Sequence, residues 1–188
     1  MLGLDRRQVE FFWGLFFSVI RQLAASPVPV IAAISGHAPA GGAVLALQCD
    51  YRIGVTGKFR IGLNEVQVGL PVPINIFFML EFVVGSRQAM LLASAGTLLS
   101  PDAALEKGFV DEVVLPGNAV EAALSWCRAM VELPPQAMNI TRLAAKSALI
   151  AKARDNENYA AIATDYWFSD ETQVAMRKLV AGLGKSAG

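Results

Sequence analysis

Cysteine and histidine are scarce in this sequence, whose 188 residues include two cysteines and a single histidine. Cys49 and Cys127 lie in apolar stretches of helical character, and they show no Cys-x-x-Cys spacing. Only His37 could join them as a ligand. The pattern therefore indicates neither a metal site nor a disulfide framework. We expect two free, buried thiols in a reducing compartment.

A charge of one sign is also lacking, because Lys and Arg number 16 and Asp and Glu number 16. This balance leaves no overall field that would hold a nucleic acid or an anionic membrane surface. The most apolar stretch, VEFFWGLFFSVI, contains Glu10 and is closed by Arg21, short of the roughly 18 residues that a membrane span needs. We expect a core helix there, with no signal-peptide pattern before it and no membrane partner.

Apolar residues make up 54% of the chain, enough for one sizeable core. A helix over residues 8–25 is predicted to end before Pro27 and Pro29, which lead into VIAAIS, a run typical of a buried parallel strand. The loop HAPAGG, a helix AVLALQ and two strands, DYRIGV and KFRIGL, follow. This order predicts an α/β fold.

Beyond Leu63 the pattern is mostly helical. Helices are predicted over 74–84, 86–94, 118–131, 135–150, 156–168 and 170–181. A short helix capped by Ser100 and a strand VDEVV lie before the third of these, and Gly182 and Gly184 are predicted to end the last. Because strands are few and none precedes the first helix, we expect that an N-terminal portion of a larger α/β unit is absent.

The stretch HAPAGGAVLALQCDYRI, residues 37–53, places a proline and two glycines between a strand and a helix. Gly41 and Gly42 carry no Cβ, so a negatively charged oxygen could approach the main chain where helix amides lack acceptors. Tight packing of the loop against a strand would explain the same glycines. Both explanations stay open on the loop alone.

Glu65, in LNEVQVG, follows an apolar strand and has apolar neighbours at Leu63, Val66 and Val68. A carboxylate at such a strand exit is either a surface group or a functional base. Desolvation by these neighbours would raise its pKa toward the pH at which a general base works best. Ser35 and His37 lack a third, orienting group, so His37 is interpreted as structural.

Taken together, PVPVIAAISGHAPAGGAVLALQCDYRI and RIGLNEVQVGLPVP resemble the crotonase (enoyl-CoA hydratase/isomerase) superfamily, most closely its Δ3,Δ2-enoyl-CoA isomerases. The resemblance implies a partial crotonase-like ββα spiral over residues 1–115, which carries the site, and a C-terminal helical region over 116–188. It further implies an acyl-CoA thioester as substrate, with CoA entering as part of that substrate and no other cofactor. Assembly as a homotrimer or a dimer of trimers is also implied.

The resemblance suggests a role for individual residues. Gly41 matches the backbone N–H donor to the thioester oxygen, and Glu65 matches the catalytic glutamate. Val44 stands where hydratases of the superfamily carry a second glutamate that helps to activate a water. Further contacts with the substrate are expected from Ala40, Gly42, Val44, Leu63 and Pro71. The family's second oxyanion donor comes from a loop before the first helix of this chain, so we expect it to be missing here.

These residues predict isomerisation of 3-enoyl-CoA to 2-enoyl-CoA in fatty-acid β-oxidation, with one glutamate carrying a proton from C2 to C4. Hydration or another crotonase reaction is one alternative, and a shortened, non-catalytic remnant is the other. The expected compartment is the cytoplasm of a bacterium or the mitochondrial matrix of a eukaryote.

Several other residues have both a functional and a structural interpretation. Contact with CoA phosphates or a solvated helix face would each explain Arg142, Lys146 and Lys152. An acyl tunnel or simple core packing would each explain Phe77, Phe78, Trp167 and Phe168. Strand-edge charges or ion pairs are the preferred interpretation of Asp50, Arg52, Asp111 and Glu112.

Overall fold

The computed structural model describes residues 1–154 and 158–183. Its helices are α1 (Arg6–Ala24), α2 (Gly41–Gln48), α3 (Ile74–Val84), α4 (Ser86–Ala95), α5 (Pro101–Glu106), α6 (Ala119–Val131), α7 (Pro135–Ala145), α8 (Ser147–Arg154), α9 (Tyr159–Trp167) and α10 (Asp170–Leu183). Its strands are β1 (Ile31–Ile34), β2 (Ala38–Pro39), β3 (Tyr51–Val55), β4 (Ile61–Gly62) and β5 (Glu112–Val114), and a 3-10 helix covers Glu65–Val68. The predicted α/β class is confirmed.

Two small parallel sheets organise the first half of the chain. One has the strand order β1-β3-β5, and the other pairs β2 with β4. The central strand β3 is buried over its last four residues, as expected for a parallel strand that is covered on both faces. Ala38 pairs with Ile61 and Pro39 with Gly62, so the second sheet joins the loop before α2 to the segment before Glu65.

Helix α1 begins with a capping box and contributes one face to the core; the prediction of a core helix is wrong for its other face, where Phe11, Leu15 and Val19 are exposed. The Asp5 side chain accepts a hydrogen bond from the Gln8 N–H, and the Gln8 side chain accepts one from the Asp5 N–H, both at 2.9 Å. The fully buried Val9 and Ile20 lie on one face, which packs against the C-terminal half of the chain through α8 and α9. Helix α1 therefore shares one hydrophobic core with α8 and α9.

Several local features differ from the sequence-based prediction. The loop HAPAGG contains the short strand β2. The helix predicted over 135–150 is two helices, α7 and α8, separated at Lys146. The helix predicted from residue 156 begins at Tyr159, and the last helix continues through Gly182; residues 155–157 and Gly184 lie outside the described residues.

Candidate active site

Helix α2 begins at the double glycine, and the residue before it has an unusual backbone. Ala40 has φ 47° and ψ −115°, and it is the only non-glycine residue with positive φ in the described part of the chain. Hydrogen bonds fix this conformation: the Ala40 N–H donates to the Gly62 carbonyl, and the Ala40 carbonyl accepts from the Val44 N–H, both at 2.9 Å. Strain of this kind persists only where the surrounding structure enforces it, and it is common at functional sites.

The two glycines have different surroundings. A Cβ on Gly42 would lie 3.3 Å from the Ala38 Cβ, so Gly42 permits close packing of α2 against β2. Gly41 lines a cavity, where a Cβ would lie 3.7 Å from the Phe16 ring. No side chain of the described residues caps α2, so the amides of its first turn keep their partial positive charge for a ligand.

Glu65 is the first residue of the 3-10 helix that follows β4. Glycines hold this segment close to its neighbours. A Cβ on Gly62 would lie 2.5 Å from the Thr97 carbonyl oxygen, and one on Gly96 would lie 2.9 Å from the Gln67 Cγ. The Gln67 amide donates to the Gly96 carbonyl at 2.9 Å. Close packing at these glycines therefore sets the place of Glu65.

The Glu65 carboxyl is in an apolar environment. Its Oε2 atom is buried, and the described residues offer it no hydrogen-bond partner. Burial raises the pKa of Glu65 from its ordinary value of 4.5 to about 7, although a hydrogen bond from its own backbone N–H acts in the opposite direction. A carboxyl with this pKa can both accept and return a proton near neutral pH.

Gly41 and Glu65 line the same cavity, whose volume is about 740 Å³. Its walls come from α1, the start of α2, the 3-10 helix, the loop before α3, and helices α9 and α10. The lining is mostly apolar and aromatic, including Trp13, Phe16, Tyr166 and Trp167. Volume and lining are typical of a small-molecule site with few polar groups.

The cavity brings together most of the site residues expected from the sequence. Those that line it are Ala40, Gly41, Val44, Glu65 and Pro71. Gly42 and Leu63 do not line it; Leu63 belongs to the hydrophobic core, because its side chain packs inward from the segment between β4 and the 3-10 helix.

The aromatic wall from α1 was not expected from the sequence. The sequence places Trp13 and Phe16 on a predicted core helix, and the hydrophobic pattern alone cannot tell a side chain that fills a core from one that lines a cavity. Of the four aromatic residues considered for an acyl tunnel, Trp167 lines the cavity.

Val44 keeps a second carboxylate away from the cavity. Its side chain is 1% exposed and lies on α2, one turn after Gly41. Among the described residues that line the cavity, Glu65 is the only carboxylate. Acid–base chemistry that uses carboxylates in this cavity would therefore have one group available.

Arg142 and Lys146 do not lie on a solvated helix face, so one of their two interpretations is wrong. Their side chains are 8% and 7% exposed, and each lies 3.1 Å from a carboxylate oxygen of Asp50. Lys146 also donates to the Gln48 carbonyl at 2.9 Å. These contacts occupy both cations with the protein itself. The ion-pair interpretation is confirmed for Asp50.

The ion-pair interpretation is also confirmed for Arg52 on β3 and for Asp111. Arg52 and Asp111 form an ion pair at 2.8 Å.

His37 does not line the cavity. It is exposed, and its ring meets Phe59 edge-on, with 5.6 Å between the ring centroids. Within the described residues, no group of three or more His, Cys, Asp or Glu side chains could hold a metal ion. None of the described helices combines the length and apolarity that a membrane crossing requires.

The sequence pattern of the enoyl-CoA hydratase/isomerase family matches residues 1–184. Among curated proteins, the chain is 33% identical over 153 residues to the human mitochondrial enoyl-CoA delta isomerase 1, a match that covers 81% of this chain and 51% of that protein. It is 36% identical over 119 residues to a probable enoyl-CoA hydratase of Mycobacterium avium, with 63% of this chain and 46% of that protein covered. The chain thus spans about half the length of the curated relatives it matches.

The fold agrees with these matches. The crystal structure of human mitochondrial Δ3-Δ2-enoyl-CoA isomerase superposes with a TM-score of 0.91 at 28% identity, over 99% of this chain and 73% of the other. An enoyl-CoA hydratase from Mycobacterium ulcerans superposes with a TM-score of 0.77 at 25% identity, over 89% and 71% of the two chains. The likeness therefore covers isomerases and hydratases alike.

Proposed function

Because the chain belongs to the enoyl-CoA hydratase/isomerase family, we propose that it converts 3-enoyl-CoA to 2-enoyl-CoA in fatty-acid β-oxidation, with Glu65 as the acid–base group. One observation carries the proposal: Glu65 is the single carboxylate among the described residues around the cavity, and α2 contributes Gly41 and the aliphatic Val44 to the same lining. Moving a double bond requires one group that takes a proton and returns it.

In the proposed mechanism, ionised Glu65 removes a proton from C2 of the 3-enoyl thioester. The electron pair of the broken C–H bond forms a C1–C2 double bond and the thioester oxygen becomes negatively charged, which gives a dienolate whose second double bond moves from C3–C4 to C2–C3 only when C4 is protonated. Protonated Glu65 then delivers the proton to C4, which leaves 2-enoyl-CoA and the original carboxylate. No proton or electron is gained or lost overall.

The Gly41 N–H would donate a hydrogen bond to the dienolate oxygen. One preorganised donor at such an oxygen typically contributes about 3 to 4 kcal/mol to transition-state stabilisation. The strained backbone at Ala40 orients this N–H before the substrate arrives, so little reorganisation is needed during the reaction. The apolar walls exclude water, which strengthens the interaction.

Hydration of 2-enoyl-CoA is the second candidate, and it is favoured by the similarity to a probable hydratase at 36% identity. Hydration needs a water that is positioned and activated, which two carboxylates achieve better than one. Val44 and the apolar lining disfavour such a water, because a bound water needs polar partners. We therefore rank isomerisation first.

The two reactions are separated by assaying the chain with 3-enoyl-CoA and, in parallel, with 2-enoyl-CoA. We expect 2-enoyl-CoA to form from the first substrate. Its kcat/KM should rise with pH as Glu65 ionises, and the midpoint of this pH profile should lie near 7. Water addition to the second substrate should be slower by about 10²-fold or more. Faster hydration would reject the isomerase proposal, and no turnover of either substrate would support a non-catalytic remnant.

We also propose that the chain assembles as a homotrimer, or as a dimer of trimers, through α6 and α7. Several large apolar side chains on and between these helices are exposed, namely Val120, Leu124, Val131, Leu133 and Ile140. An apolar patch of this kind on a folded protein is a common sign of an interface.

Replacing Val131 with Asp is expected to dissociate the assembly, because a charge in an apolar interface must lose its water without gaining a partner. The mass determined by light scattering would then fall from a multiple of the chain mass to the mass of one chain, 20.1 kDa. Val174→Asp is a matched control on α10, since the two valines are 68% and 66% exposed. A wild-type chain that is already monomeric, or equal dissociation by both variants, would contradict the proposed interface.

A further inference from the structure

The segment that carries Glu65 is attached to the C-terminal helix α10 by one buried hydroxyl. Thr172, in the first turn of α10, is 0% exposed, and its Oγ1 donates to the Gly69 carbonyl oxygen at 2.8 Å. Gly69 ends the 3-10 helix in the left-handed conformation, with φ 76°. Residues 65 and 172 thus belong to elements that are far apart in the sequence and joined at this point.

A single peptide unit connects Thr172 with Glu65. The Gly69 carbonyl, which accepts from Thr172, shares its rigid peptide plane with the Leu70 N–H. That N–H donates to the backbone carbonyl of Glu65 at 3.1 Å. Because the plane is rigid, rotation at one end moves the other, and the two hydrogen bonds in series strengthen each other.

The contact is too close to be replaced by a different packing. A Cβ on Gly69 would lie 3.0 Å from both the Cα and the N atom of Thr172, so the two backbones touch directly. The Gln67 amide in the same segment is hydrogen-bonded to the carbonyl of Gly96, the residue that follows α4. The base-bearing segment is therefore held by two elements, the end of α4 and α10.

We propose that Thr172 is the positioning residue through which α10 holds Glu65 in its place on the cavity wall. This inference rests on the proposed function in taking Glu65 as the acid–base group. Thr172 does not line the cavity and would act only through the Gly69–Leu70 peptide. Loss of its hydroxyl should let the segment relax and admit water to the carboxyl.

The charged groups around the segment do not explain the environment of Glu65. On α10, Asp170, Glu171 and Lys178 line a separate groove against the outer side of the 3-10 helix. On α4 the one charged residue is Arg87, in the first turn and away from Gly96. On α9, Tyr159 and Tyr166 line the cavity, and so does Met1 before α1. Burial, and not any of these charges, is the main cause of the raised pKa of Glu65.

The test compares Thr172→Val, which removes only the hydroxyl function, with Thr172→Ser, which keeps it. The matched control is Thr164→Val on α9: Thr164 is also 0% exposed, but its Oγ1 donates at 2.7 Å to the Ala160 carbonyl within its own helix. Each variant is measured for kcat and KM with 3-enoyl-CoA, for Tm, and for the titration midpoint of the Glu65 carboxyl by ¹³C NMR of glutamate-labelled protein. The Glu65 signal is assigned by its absence from Glu65→Gln.

We expect Thr172→Val to lower kcat by about tenfold to a hundredfold with little change in KM, because a misplaced base reacts slowly with a substrate that still binds. The NMR midpoint should move from near 7 toward the ordinary value as water reaches the carboxyl. Thr172→Ser should restore both readouts. Thr164→Val should lower Tm alone.

The positioning role would be overturned if Thr172→Val had the kcat and the NMR midpoint of the wild type. It would also be overturned if Thr164→Val lowered kcat and moved the midpoint as much as Thr172→Val does. The NMR midpoint needs no substrate. A midpoint that moves only in Thr172→Val, in a chain that does not turn over 3-enoyl-CoA, would uphold the inference about position while the isomerase proposal fails.

Discussion

Replacement of Glu65 by Gln is expected to lower isomerisation of 3-enoyl-CoA by at least about 10³-fold while it stabilises the folded chain above neutral pH. The amide has the shape of the carboxyl but can neither take the C2 proton nor return it to C4. Since the cavity lining has no other carboxylate in the described residues, no neighbour can take over.

The stability gain follows from the direction of the pKa shift. Burial raises the pKa of Glu65 to about 7 in the folded chain, above the value of about 4.5 expected when the chain unfolds. The folded state therefore binds more protons between these two values, and its stability falls as the pH rises through this window. Glutamine never ionises, so Glu65→Gln should escape this loss.

The measurement pairs steady-state kinetics with thermal unfolding of both proteins between about pH 4 and pH 8.5. The difference in Tm should be small at the acidic end and should grow in favour of Glu65→Gln as the pH rises. Glu112→Gln, the same change on β5 outside the cavity lining, should alter neither readout. Retained isomerase activity in Glu65→Gln would reject the mechanism.

Replacement of Asp50 by Ala should cost about 3 to 5 kcal/mol of unfolding free energy, because it leaves two buried cations without their shared counter-ion. Arg142 and Lys146 each contact an Asp50 oxygen at 3.1 Å, and all three side chains are at most 8% exposed. Asp50 also accepts the Val30 N–H at 2.7 Å, so the entry to β1 loses a hydrogen bond as well.

Urea denaturation measures this cost as a lower midpoint at unchanged slope. The matched control is Glu121→Ala, which breaks the pair with Arg128 on α6, where the two side chains are 72% and 65% exposed. Solvent-exposed pairs contribute about 0 to 1 kcal/mol, so the control should change the midpoint little. Equal losses in the two variants would show that Asp50 is not the buried hub described above.

Local residue types predicted the elements that carry the candidate site. The Pro27 and Pro29 break and the double glycine each act over a few residues, so α1, β1 and α2 appear close to the predicted bounds, whereas the strand predicted over KFRIGL is reduced to the two residues of β4. Ser100 caps α5, as expected for a serine before a proline, with its Oγ accepting from the Ala103 N–H.

Features that depend on distant partners were not predictable in the same way. Strand β2 exists because Ala38 pairs with Ile61, more than twenty residues away, and a two-residue strand has no pattern of its own. The break between α7 and α8 occurs at Lys146, whose side chain turns inward to Asp50. The positive φ of Ala40 is likewise enforced by Gly62, and alanine gives no local sign of it.

The cavity walls have a consequence for how the site comes into being. Trp13 stands near one end of the chain and Tyr166 near the other, yet both border the same space. Bringing such remote segments together requires closure of a very long loop, which is entropically unfavourable until the intervening core has formed. The binding space is therefore a property of the completed fold, and it vanishes whenever α9 separates from α1.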